Sequence, residues 1–131
     1  MLDNNFDKRL LFLQETDKAK EVFRQNYLAD GTRRENDAEH MWHFALTAMT
    51  LYPYAKKKVD LDRVIKMAIL HDIIEVYSGD TYAYDEEAKK SQHAREMEAR
   101  EKIFGLLPVE QGEEMKALFL EFEAMETVDA L

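Results

Sequence analysis

The sequence predicts an all-α domain, and three observations carry that prediction. Apolar residues recur at helical spacing through most of the chain, and no stretch alternates as a strand would over a useful length. Four glycines and two prolines among 131 residues leave little material for turns. Helix-start signals recur ahead of the apolar segments, the clearest being Asn36-Asp37-Ala38-Glu39, which has the form of a capping box.

The elements follow in order. Residues 5–28 place Phe6, Leu10, Leu13, Val22, Phe23 and Tyr27 at helical spacing, with a break near Thr16-Asp17. The polar stretch LADGTRREND contains Asp30-Gly31 and is a loop. A helix then runs from the capping box to about Tyr52. It is apolar on most sides (Met41, Trp42, Phe44, Ala45, Leu46, Met49, Leu51), so it is expected to be central and buried. Pro53 and the lysines 56–58 end it. Asp60 caps the next helix, with Leu61, Val64, Ile65, Ala68 and Ile69 inward, which stops near His71-Asp72 or a turn later. Ser78-Gly79-Asp80 is a loop. Asp85 to Phe104 is a charge-laced helix anchored by Met97, Ile103 and Phe104. Pro108 opens the last helix, which bears Met115, Leu118, Phe119, Phe122 and Met125. The expectation is one domain over residues 1–131, with five to six helices.

Composition excludes several function classes. With no cysteine there are no disulfides, thiolate metal sites or thiol nucleophiles, which suits a reducing cytoplasm. A formal charge of −9 argues against a general nucleic-acid binder, because phosphate contacts dominate such affinity. The N-terminus has no apolar signal-peptide core, and no apolar run approaches the ~20 residues that span a bilayer. The expected partners are therefore a small molecule rather than nucleic acid or membrane.

The segment AILHDIIEVYSGD poses the chemical question. An imidazole and a carboxylate, His71 and Asp72, sit inside an apolar stretch, where burying either unpaired costs several kcal/mol or shifts its pKa. The preceding helix adds His40 and His43 on one face, and Glu75 and Asp80 follow the doublet. Two imidazoles and a carboxylate make a divalent-metal shell, and a metal would offset the burial of His71 and Asp72. Each residue also has a plain structural reading. His71-Asp72 can cap a helix end, Glu39 can complete the capping box, Asp80 can shape a turn, His43 can be a satisfied core residue, and His93 belongs to a solvated charged run.

Two motifs go further. RRENDAEHMWHFAL and AILHDIIEVYSGD together resemble the AEHxW and HDxxExxxGD forms of the HD-domain metal-dependent phosphohydrolases, in their 5′-deoxynucleotidase-like branch, over roughly residues 20 to 128. The resemblance implies a helical HD-domain bundle in which His40, His71 and Asp72 hold a divalent metal ion (Mn, Co, Fe, Ni, Zn or Mg). It implies that Glu75 activates or positions the attacking water with Asp80 assisting, and that Arg24 holds the substrate phosphate, with Arg33 and Arg34 as alternatives. His43 falls outside the ligand pattern and is expected in the core or behind the ligands. A fourth metal ligand, a carboxylate of the last core helix, is expected beyond Leu131. Two alternatives stay open: that Asp129 takes its place, or that it is absent. The function implied is hydrolysis of (deoxy)nucleoside 5′-monophosphates by a cytoplasmic homodimer. A non-catalytic metal and nucleotide sensor, and a helical interaction domain, are the competing readings.

Overall fold

The structure, a computed structural model, describes residues 4–78 and 86–124. Helix α1 (Asn4–Thr16) passes through a 3-10 turn (Asp17–Glu21) into a strand, β1 (Phe23–Tyr27), which pairs with β2 (Arg34–Asn36). Then follow α2 (Asp37–Leu51), a 3-10 turn (Tyr52–Tyr54), α3 (Leu61–Leu70), the single-turn α4 (Glu75–Ser78), α5 (Glu86–Phe104) and α6 (Val109–Ala124). Among the described residues the architecture is all-α with one small ribbon. No helix among the described residues is long and apolar enough to cross a membrane.

The break at Thr16-Asp17 falls where the sequence places it, but the helix does not resume beyond Glu21. Residues 23–27 form an antiparallel ribbon with residues 34–36, with Phe23 opposite Asn36 and Tyr27 opposite Arg34. Phe23 and Tyr27 are spaced for either period, and both are exposed, so no apolar face recruits them into a helix. The turn between the strands decides the matter. Gly31 takes a left-handed backbone (φ 72°), and the Asp30 carboxylate accepts from the Thr32 backbone N–H at 3.0 Å and hydroxyl at 2.8 Å. Leu28 N–H then donates to the Arg33 carbonyl at 2.8 Å, which closes the ribbon.

Helix α2 starts at the capping box, with both reciprocal bonds formed between Asn36 and Glu39. Its burial differs from the expectation. Only Asp37, Met41 and Ala45 are buried, while Trp42 is 64% and Met49 50% exposed. Among the described residues, α2 packs against α3, the ribbon and the first 3-10 turn, which cover only one side of it. Asp60 caps α3 by accepting from Arg63 N–H. Ala68 is buried as expected, but Ile69 is half exposed; Met67 and Leu70 take the inward positions instead.

The core joins Phe12, Met41, Leu70, Ile73, Ile74, Ile103, Phe104 and Phe119. Met97, expected as an anchor, is 45% exposed, and α5 holds the core through Ala99, Ile103 and Phe104. Helix α6 packs close to the end of α5 because residue 112 is glycine: a Cβ there would lie 2.5 Å from the Phe104 carbonyl oxygen. The apolar neighbours of His71-Asp72 are thereby explained. The chain turns after Leu70, Ile73 and Ile74 enter the core at 6% and 4% exposure, and His71 and Asp72 face the other way.

Candidate metal centre

His71 follows the last residue of α3, where carbonyls lack helical partners. Its Nδ1 lies 2.5 Å from the Ala68 carbonyl oxygen, one turn back. A carbonyl only accepts, so Nδ1 carries the hydrogen, and the opposite nitrogen, Nε2, faces Asp72 Oδ2 at 3.1 Å. From α2, His40 brings its Nε2 to 3.6 Å from the same oxygen. One donor atom from each of His40, His71 and Asp72 can be chosen so that all three lie within 4.8 Å of one another. Phe44 and Phe122 wall the His71 ring, with centroids 4.6 and 5.1 Å away.

Asp72 belongs to a second cluster as well. Asp37, fully buried at the start of α2, and Glu75, at the start of α4, place carboxylate oxygens within 4.8 Å of it and of each other. The ribbon supplies a cation. Arg24 on β1 donates from Nη1 to Asp72 Oδ2 at 3.0 Å, and its Nε lies 3.4 Å from Glu35 Oε1 on β2. The same Glu35 oxygen lies 3.2 Å from His40 Nδ1.

The electrostatics follow from these contacts. Burial and the Arg24 guanidinium push His40 below the ordinary histidine pKa, which favours a neutral ring able to offer a lone pair. Burial also pulls on His71, but the adjacent Asp72 carboxylate outweighs it, and the net shift is upward. Burial raises Asp72, whereas its hydrogen bond with His71 and the nearby positive charge bring it below the usual carboxylate range. A divalent cation fits this donor set: two imidazoles and one ionised carboxylate converge, the His71 ring is tied from behind at Nδ1, Glu35 stands 3.2 Å behind His40 Nδ1, and a cation would take the place of the hydrogen that His71 shares with Asp72.

The structure thus brings His40, His71, Asp72, Glu75 and Arg24 into one place. His43 is not among them. It is exposed beside Trp42, on the side of α2 that no described element covers, so the expectation of a core or supporting position is corrected. His93 is exposed, as its charged surroundings suggest. Arg33 is engaged elsewhere, in a two-pronged pair with Glu39 at 2.7 and 2.5 Å. Asp80, Asp129 and Met125 lie outside the described residues. Sequence reasoning did not single out Glu35, Asp37, Phe44 or Phe122 for the site. Glu35 and Asp37 sit in the same RENDAEH stretch as His40, but only the ribbon and the helix start together reveal which way they face.

Residues 16–131 match the HD domain family. The chain belongs to that family. It is 30% identical over 122 residues to the human 5′-deoxynucleotidase HDDC2, covering 92% of this chain and 58% of that protein. With the 5′-deoxynucleotidase hdd1 of Schizosaccharomyces pombe it shares 31% over 124 residues, covering 91% and 61%. A crystal structure described as a predicted metal-dependent phosphohydrolase, from Magnetospirillum magnetotacticum, superposes with a TM-score of 0.88 at 43% identity. That match covers 98% of this chain and 65% of the other. The chain therefore spans about three fifths of the length of the curated relatives it matches. The histidine of AEHMW, on α2, and the His-Asp doublet that follows α3 face each other.

Proposed function

We propose that this HD domain is a metal-dependent phosphohydrolase that converts (deoxy)nucleoside 5′-monophosphates to nucleoside and phosphate. The observation that carries the proposal is the convergence of His40, His71 and Asp72, with Arg24 and Glu75 both reaching the same Asp72 carboxylate. His40, His71 and Asp72 are the proposed ligands. A divalent cation held there supplies positive charge to a phosphoryl oxygen and makes a nearby water more acidic. The donor set suits Mn²⁺, Co²⁺, Fe²⁺, Ni²⁺ or Zn²⁺ better than Mg²⁺, because two of three donors are imidazole.

This chain's residues then have separate tasks. Glu75 orients the attacking water and takes its proton. Arg24 turns its guanidinium fork to the non-bridging phosphate oxygens, a geometry lysine cannot reproduce. The water oxygen bonds to phosphorus as the P–O5′ bond breaks, and the leaving alkoxide is protonated to the free hydroxyl. Asp80 is proposed to assist in the same pocket. The 5′-deoxynucleotidase names of the relatives support a nucleotide substrate. Trp42, Leu46 and Met49 form an exposed apolar stripe along α2, which supports association as a homodimer, a point sedimentation of the protein beside Trp42→Glu would check.

The test is phosphate release from a panel of 5′-deoxy- and ribonucleoside monophosphates, by protein stripped of metal and reloaded with Mn²⁺, Co²⁺, Mg²⁺ or Zn²⁺. The expected result is metal-dependent release that Asp72→Ala abolishes. Nucleotide binding without release at any metal loading would replace the enzyme with a sensor.

A further inference from the structure

The two histidines of the centre are held from behind by different groups, and the difference points to a role for Glu35. His71 ends a helix, where free backbone carbonyls are at hand, and the Ala68 carbonyl serves it. His40 lies in the first turns of α2, which begins at Asp37. A helix start offers free N–H donors rather than acceptors, so its backbone cannot serve a ring N–H in the same way. The acceptor has to come from outside the helix. Glu35 on β2 stands where one is needed, with Oε1 3.2 Å from His40 Nδ1.

We infer that Glu35 is a positioning residue that fixes the tautomer of His40, and through it the affinity of the centre for a divalent cation. The inference rests on the metal-site reading above. Both ring nitrogens face carboxylates, which only accept, but the Glu35 oxygen lies at 3.2 Å from Nδ1 and the Asp72 oxygen at 3.6 Å from Nε2, so the single hydrogen of the neutral ring goes to Nδ1 and the lone pair stays on Nε2. Arg24 adds an ion pair at the same oxygen, its Nε 3.4 Å away. Glu35 pairs with His40 and Arg24 and is not among the proposed ligands, so it acts on the centre through His40. Partners of this kind, behind a metal-binding imidazole, typically change metal affinity about 10–100-fold when removed.

The test is long-range ¹H–¹⁵N correlation NMR on metal-free protein labelled at histidine, in mildly alkaline buffer where the rings are neutral, beside Co²⁺ titration followed by absorption. In the wild-type protein His40 should carry hydrogen on Nδ1; a His40 with hydrogen on Nε2 overturns the inference before any variant is made. Glu35→Met, which keeps length and removes the acceptor, should move His40 toward the Nε2–H form, leave His71 unchanged as the internal control, and weaken Co²⁺ binding about 10–100-fold. Glu35→Gln, which keeps an acceptor oxygen, should retain the tautomer and most of the affinity. An unchanged His40 tautomer with unchanged Co²⁺ affinity in Glu35→Met refutes the role. If the wild-type protein takes up no Co²⁺ while His40 holds hydrogen on Nδ1, the metal-site reading fails and the Glu35–His40 assignment stands.

Discussion

Two walls enclose the candidate centre, and they are built in opposite ways. The wall made by the end of α3 is local. His71, Asp72 and the Ala68 carbonyl that orients the ring lie within five consecutive residues, and helix geometry alone brings them together. The other wall is assembled from pieces. Arg24 comes from β1, Glu35 from β2 and His40 from α2, and they meet only because the ribbon pairs Phe23 with Asn36 and Tyr27 with Arg34. The comparison teaches that half of this centre is a property of a short peptide and half a property of the fold. Damage to the two walls should therefore differ in size and in kind.

The largest effect is expected at Asp72, the residue of the α3 wall that pairs with Arg24 of the other wall and lies near its His40. Asp72→Asn removes the only charge among the proposed ligands while keeping the shape. Phosphate release should fall about 10³-fold or more, since several kcal/mol of charge stabilisation are at stake and each 1.4 kcal/mol is worth about tenfold. Co²⁺ uptake should be lost with it. Retained uptake and turnover in this variant would remove Asp72 from the centre.

Glu75→Gln should come next. General base assistance is commonly worth about 10²–10⁴-fold, and a glutamine keeps the size without accepting a proton. Co²⁺ binding should stay near wild type, which separates this variant from Asp72→Asn. Turnover that persists at the wild-type rate would assign the water to another group. On the ribbon wall, Arg24→Lys keeps the charge and loses the fork. KM for a nucleoside monophosphate should rise by about tenfold, with kcat reduced less, if the guanidinium grips phosphate. A fall in kcat at constant KM would instead place Arg24 in the chemical step.

The same contrast explains what could be read from the chain. His71-Asp72 stood out because two ionisable groups interrupt an apolar run, which is a local signal. The Asn36–Glu39 capping box was legible for the same reason, and the structure forms both of its hydrogen bonds. Arg24 was reached only through family resemblance, since the strand that carries it reads equally well as a helix. Glu35 gave no signal at all, because its meaning depends on strand pairing across a turn. Helix α2, apolar on most sides, was expected to be central and buried, but periodicity reports which residues are apolar and not whether a neighbour exists to cover them. Trp42 and Met49, apolar and exposed, mark where that inference stops.

The smallest effect should be found where the ribbon is clamped to α2. Arg33, in the turn before β2, grips Glu39 with both prongs, and the Asn36 backbone N–H donates to the same carboxylate at 3.0 Å. These contacts, Arg33 first, lower the Glu39 pKa from 4.5 to about 2. The folded-state pKa is depressed, so the contribution to stability is fully present above the unfolded value near 4.5 and is lost as pH falls toward about 2. Half of the Arg33 side chain is exposed, so solvent screens the pair. Glu39→Gln still completes a capping box and loses only the charge. Its Tm at neutral pH should be lower than that of the wild type by about 1–3 °C. Thermal melts of both proteins should converge as pH falls through the window from 4.5 to about 2. A gap that persists at the acid end would mean that Glu39 holds the ribbon by packing rather than by charge, and the assembled wall would then owe less to electrostatics than its Arg24 and Glu35 contacts suggest.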